Sequence, residues 1–317
     1  MFRLRNGLVA LVFLGAACGS SGETGDATDS VVATTDAPVV SSPTTAVPVG
    51  SLESDLAELV AGFGRDVDKN VVDSIVAHGD QSSAWLMLDL VRFQSQRSPG
   101  AATLLDGVIR LGIDIDPSAP WKSATNALLA DDVSEPPGYE ALKVEVLSAV
   151  DARWRSLLEV DNDLDFRWLG WGGVFIDDRP FGDASPCFGR GCIPALDSPG
   201  VTDAAGGFWY PDDEIVFGIV VNGEARAYQK NIMQVHEMVN DQLGGRTIVV
   251  PYCTLCGSAQ AFFTDELDGE VLDEPLVFRT SGLLSRSNKV MYELGSQSIF
   301  DTFTGRARSG PMFVDGV

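Results

Sequence analysis

Histidine is nearly absent from this sequence: His78 and His236 are the only two in 317 residues, beside five cysteines. They lie far apart, so the paired-histidine motif of metalloproteases, which needs two imidazoles one helical turn apart, is excluded. A glycine-rich phosphate loop and a nucleophile elbow are also missing, which leaves no footing for a nucleotide cofactor or for the common hydrolases. Basic residues are scarce. Lys and Arg total 22 against 45 Asp and Glu, a net charge of −23, and such a surface repels phosphate backbones, so nucleic acid is not an expected partner. The acids are scattered rather than blocked, the pattern of a solvated surface. The N-terminal apolar run, Leu8 to Ala17, falls short of the roughly 20 residues that a spanning helix needs.

What is present begins with an export signal. Arg3 and Arg5 supply a positive start, and Leu8 to Ala17 supply a short apolar core ending in small residues. Leu14-Gly-Ala-Ala-Cys18 looks like a bacterial lipobox, with Gly15 where a larger aliphatic is usual. Cys18 is the expected lipidation site, and the protein is expected outside the cytoplasm, anchored to the cell membrane by lipid, or secreted without that lipid. Residues 19–50 are rich in Ser, Thr, Gly, Asp, Pro and Ala. They bury too little apolar surface to offset ordering entropy, so they read as a disordered tether.

The fold class expected is α+β, a helical bundle at residues 51–165 followed by a β-rich α+β domain at 166–317. Leu52, Leu56, Leu59 and Val60 recur at helical spacing, as do Val71, Val72, Ile75 and Val76. Trp85 to Val91 and Leu104 to Ile109 follow, and after Pro136-Pro137 a last helix carries Leu142, Val146, Val150 and Trp154 on one face. His78 stands at a helix end, where an imidazole meets the helix dipole. Glycines and prolines cluster from Trp168 to Pro194, and β-like runs come after them. Asn222-Gly223 between two such runs predicts a type I′ hairpin. A helix through Gln234 to Asp241 is expected next, then a reversal at Gly244-Gly245 and the strand Thr247 to Tyr252.

Cys187 and Cys192 flank Phe-Gly-Arg-Gly, a flexible loop that lets the sulfurs meet, and an exported chain favours a structural disulfide there. Cys253-Thr-Leu-Cys256-Gly257 follows a hydrophobic strand. A CxxC at that place is a redox dithiol, a metal knuckle between two strands, or an inert pair. His236 is the natural third member, and Glu237 beside it is placed to orient a bound group.

Five blocks carry a resemblance: Cys192-Ile-Pro-Ala-Leu-Asp-Ser-Pro199, Val220 to Tyr228, His236-Glu-Met-Val-Asn-Asp241, Tyr252-Cys-Thr-Leu-Cys-Gly257, and Ser281-Gly-Leu-Leu284 with Asn288 to Tyr292. In this order they resemble the bacterial domain-of-unknown-function family 3179, over roughly residues 190–317. The resemblance implies an exported, often lipid-anchored domain with a His-Glu and Cys-x-x-Cys-Gly core, and transfers to His236, Cys253 and Cys256. Thr254 stands where that family commonly has proline, and Phe300 where tryptophan is common. The family pattern also runs some tens of residues further, so the chain is expected to stop short of it.

Three readings follow. The leading one is a transition-metal site, copper or zinc held by His236, Cys253 and Cys256, since two soft sulfurs and a nitrogen suit Cu(I) or Zn(II). The second is an extracytoplasmic thiol–disulfide oxidoreductase using the same cysteines. The third is a non-catalytic module whose helical domain binds a protein partner.

Overall fold

The computed structural model describes residues 50–95, 98–187, 191–267 and 270–317. The export signal, Cys18 and the tether up to residue 49 lie outside the described residues. The helical part contains α1 (Leu52–Ala61), α2 (Lys69–Ala77), α3 (Ala84–Arg92), α4 (Pro99–Arg110), α5 (Pro120–Ala130), α6 (Tyr139–Val150) and α7 (Trp154–Leu158). Its starts are written locally: Ser51 accepts from the Ser54 N–H, Asp68 from Asn70, and Ser98 from Ala101 just before Pro99, which satisfies donors no helix can pair internally. Central α3 buries seven of its nine residues. His78 caps α2, and its Nε2 meets the Asp55 carboxylate at 3.0 Å. The expected last helix is interrupted. It ends at Val150, and Trp154 opens α7 with its indole fully buried.

The β-rich part runs β1 (Leu169–Trp171), β2 (Leu196–Asp197), β3 (Val216–Val221), β4 (Glu224–Gln229), α8 (Lys230–His236), β5 (Met238–Leu243), β6 (Arg246–Cys253), β7 (Ser258–Ala259), β8 (Phe262–Phe263), β9 (Glu266–Leu267), β10 (Glu270–Val271), β11 (Phe278–Ser285), β12 (Asn288–Glu293), β13 (Ile299–Asp301) and α9 (Pro311–Val314). One sheet has the order β1-β11-β12-β13, and another β2-β5-β6-β7 with β8 also on β6. The ribbons β3-β4 and β9-β10 stand apart from both. The α+β class is observed.

Asn222 and Gly223 take φ of 50° and 84°, and Gly244 and Gly245 take 58° and 77°, so both predicted reversals form with the positive φ that type I′ turns require. The helix expected through Asp241 is shorter. Glu237 turns left-handed at φ 53°, and Met238–Leu243 continues as a strand paired with both β2 and β6. Period-2 alternation along β6 then fills two cores. Ile248, Val250 and Tyr252 face the β3-β4 ribbon, while Val249 meets Phe262, Phe278 and Met291 between the sheets.

A third core joins the two parts. Leu169, Ile176, Leu283, Val290, Tyr292 and Ile299 pack in one cluster with the helical residues. The Trp154 indole N–H donates to the Ser281 carbonyl at 2.7 Å, and buried Lys143 bridges Asp89 and the Phe166 carbonyl.

Candidate functional site: a thiol pair beside a buried lysine

Strand β6 delivers Cys253 at its last residue, and Thr254 and Leu255 form the turn before Cys256. Gly257 follows at φ 63°, a conformation that costs glycine little, and lets the chain re-enter as β7 against Tyr252 and Cys253. The pair is therefore a knuckle between two strands, with no helix after it. Both thiols are free, Cys253 buried and Cys256 exposed, with sulfurs 2.9 Å apart.

The opposing wall is the β11-β12 turn. Arg286 and Ser287 both adopt positive φ, 51° and 64°, a conformation that side chains resist. It aims the Ser287 carbonyl at the thiols, 3.3 Å from Cys256 Sγ, with Asn288 Oδ1 at 3.4 Å. Asn288 is held in turn by Thr302. Turned onto these groups, the Cys256 thiol is pushed up to about 12, by partial burial first and then by its hydrogen bond to Cys253 and that neighbour's charge.

Next along β12 is Lys289, 4% exposed. Its ammonium donates to the Glu237 backbone carbonyl at 2.7 Å and lies 3.6 Å from the Glu237 carboxylate. Burial pulls Lys289 down to about 8, against the upward pull of Glu237 and Cys253. The Glu237 carboxylate also accepts from the Thr254 hydroxyl at 2.5 Å, so the residue ties the knuckle to the lysine. Cys253, Glu237 and Lys289 line one cleft of about 230 Å³. Lys289 is the residue that sequence reasoning missed. Its one signal was a lysine directly before the apolar run Val290-Met-Tyr292.

His236 ends α8, half-buried, with Nδ1 2.8 Å from the Pro194 carbonyl. A carbonyl can only accept, so Nδ1 is the donor in this bond. His236 and the two sulfurs do not form a set of ligand atoms within 4.8 Å. Among the described residues the one trio that does is Asp177, Cys187 and Cys192. Cys187 and Cys192 form a disulfide with Cα atoms 5.4 Å apart. Asp177 is fully buried, and its oxygens accept from Arg179 and from the Ala195 N–H. Neutral disulfide sulfurs beside a satisfied carboxylate are weak ligands, so this trio suits a metal only after reduction. Two polar residues of the expected helix are structural too. Asn240 and Asp241 are buried on β5, Asn240 bonding Asp197 and the Phe278 backbone, and Asp241 bonding Arg226 and Tyr228.

Residues 190–313 match the family model described as "Protein of unknown function (DUF3179)". No curated protein and no solved structure matches the chain.

Proposed function

Taking residues 190–313 as a DUF3179 domain, we propose that this protein is an extracytoplasmic thiol–disulfide exchange protein whose working couple is Cys253 and Cys256. The observation that carries the reading is a free thiol pair at 2.9 Å, with Cys256 exposed and Cys253 buried in a cleft that it shares with a buried lysine.

In the oxidised pair, a partner thiolate reaches exposed Cys256 and attacks its sulfur. A partner–Cys256 bond forms, the Cys253–Cys256 bond breaks, and Cys253 leaves as thiolate. A second partner thiolate then attacks the partner sulfur of this mixed disulfide. A partner disulfide forms and Cys256 leaves. Two electrons pass from two partner thiols to the pair, and the two protons those thiols lose end on Cys253 and Cys256. A positive charge beside a leaving sulfur favours its departure as thiolate, and Lys289, at about 8, is poised to lend that charge and then its proton.

The Cys187–Cys192 disulfide supports an oxidising compartment, and with a lipid on Cys18 the tether would hold the folded part clear of the membrane. The soft-metal reading keeps two thiolates and Nε2 of His236 as donors for copper or zinc, and requires His236 to approach them.

The test counts free thiols of the purified protein across a glutathione redox series, alongside elemental analysis. Reversible interconversion of Cys253 and Cys256, with Cys187–Cys192 staying oxidised, is expected. A pair that never changes state overturns the reading. One equivalent of copper or zinc, lost in Cys253→Ser, moves the function to metal binding.

A further inference from the structure

A concavity much larger than the thiol cleft also touches α8. It is a groove of about 1350 Å³ between the β3-β4 ribbon and the segment 199–214, with Ile232 and Met233 of α8 along one wall. Gln234, one residue further along the same helix, lines the thiol cleft. The groove exceeds the ~300–1,000 Å³ of ordinary small-molecule pockets.

Two independent features say what fits there. The first is a free strand edge. Among the described residues β3 pairs only with β4, so half of its backbone donors and acceptors have no ladder partner. The same face of the ribbon carries Val216, Gly218 and Val220 opposite Gln229, Ala227 and Ala225, which is flat and nearly free of bulk. A Cβ added at Gly218 would meet nothing within 4 Å. Exposed edges of this kind accept an added strand. Apolar side chains stand open beside it, with Val201 61%, Trp209 54% and Val220 40% exposed, the pattern of an interaction surface.

The second feature is charge. Asp203, Asp212, Asp213 and Glu214 line the groove and are exposed, and among the described residues no Lys or Arg pairs with any of them. The one arginine of the lining, Arg226, is spent on Glu224 and Asp241. A second copy of this chain, at −23, and an anionic membrane are both repelled by such a rim. A cationic chain is drawn in.

We propose that this groove binds extended, lysine- or arginine-bearing polypeptide by strand addition to β3, and that such segments are the thiol substrates of Cys253 and Cys256. The chemistry in that statement rests on the exchange reading, whereas the binding does not. Alternate side chains of the bound strand would meet the ribbon face, while basic ones reach the acidic rim.

The probes are two labelled eleven-residue peptides with a central cysteine, one alternating valine with lysine and the other valine with glutamate. Binding is read by fluorescence anisotropy on the full protein and on its Cys253→Ser/Cys256→Ser variant. The lysine peptide should bind both proteins at least tenfold more tightly than the glutamate peptide, and weaken steeply with salt. Asp212→Asn/Asp213→Asn/Glu214→Gln and, separately, Val220→Lys should each reduce its affinity at least tenfold. The wild-type pair should also react faster with the lysine peptide than with glutathione. Equal binding of the two peptides, or affinity untouched by both sets of substitutions, overturns the proposal. So does self-association of the protein that the lysine peptide does not displace. Binding intact on the serine variant with no thiol exchange in the wild type would leave the groove standing and remove the exchange reading.

Discussion

Replacing Lys289 by methionine leaves an unbranched side chain one atom shorter and removes its charge. Burial lowers Lys289 from 10.5 to about 8. The native value lies below the unfolded one, so between those two pH values the unfolded chain holds the extra proton, and wild-type stability rises with pH across that window. At ~1.4 kcal/mol per pH unit, the gap from 10.5 to about 8 makes the buried ammonium cost about 3 kcal/mol, in full below the native value and not at all above the unfolded one. Against this stands the bond to the Glu237 carbonyl. That oxygen also accepts from the Tyr252 N–H at 2.9 Å, so its loss of one donor costs about 1 kcal/mol, the low end for a buried acceptor. Lys289→Met should therefore be the more stable protein at pH 7, by about 1–2 kcal/mol, and the advantage should shrink by about 2 kcal/mol by pH 10. Urea denaturation at pH 7, 8.5 and 10, in a Cys253→Ser/Cys256→Ser background that removes thiol titration, measures the difference directly. A difference that stays constant within about 0.5 kcal/mol over that range would show that Lys289 titrates as an ordinary lysine, and its role in tuning Cys253 would go with it.

Without the ammonium, the Cys253 thiolate loses a favourable neighbour, so Lys289→Met should also lower the potential of the pair by about 20–50 mV, read in a glutathione titration, where ~30 mV corresponds to ~1.4 kcal/mol. Gly282→Ala should destabilise by about 3 kcal/mol or more, because at φ 76° its Cβ would stand 2.5 Å from the Val174 carbonyl; an unchanged urea midpoint would refute the close approach. Trp154→Phe leaves the Ser281 carbonyl without its donor and should cost about 1–3 kcal/mol in the same assay. Cys18→Ala, expressed in a bacterial host, should abolish partition into detergent, and a protein that partitions regardless is held by something other than lipid at that position.

Local chemistry made much of this fold legible. Asn222-Gly223 and Gly244-Gly245 state their turns outright, since few other residue pairs accept two positive φ angles in succession. The apolar run before Cys253 states its strand, while the cysteine spacing left three arrangements open, of which the knuckle between two strands is the one that forms. The end of α8 was hidden because Ile232, Val235 and Val239 keep helical spacing across the break. What overrides that spacing is strand pairing to Leu196, far earlier in the chain, and to Val250. Asn240 and Asp241 fell within the expected helix, yet their partners sit at Asp197, Phe278, Arg226 and Tyr228, which no local window contains. The burial of Lys289 was hidden for the same reason. It depends on the left-handed turn at Glu237 bringing a carbonyl to the lysine.

The core that Leu283, Val290, Tyr292 and Ile299 share with the helices bears on how the chain can be cut. The family match begins at residue 190, and a fragment starting there would lay those four side chains, carried by β11, β12 and β13, bare of the helices that cover them. It would also strip Ser281, at the bulge bordering the thiol cleft, of the tryptophan that braces it. The stretch that the family model covers is thus smaller than the stretch that shares this core, and the helices cover the sheet whose β11-β12 turn stands opposite the thiols.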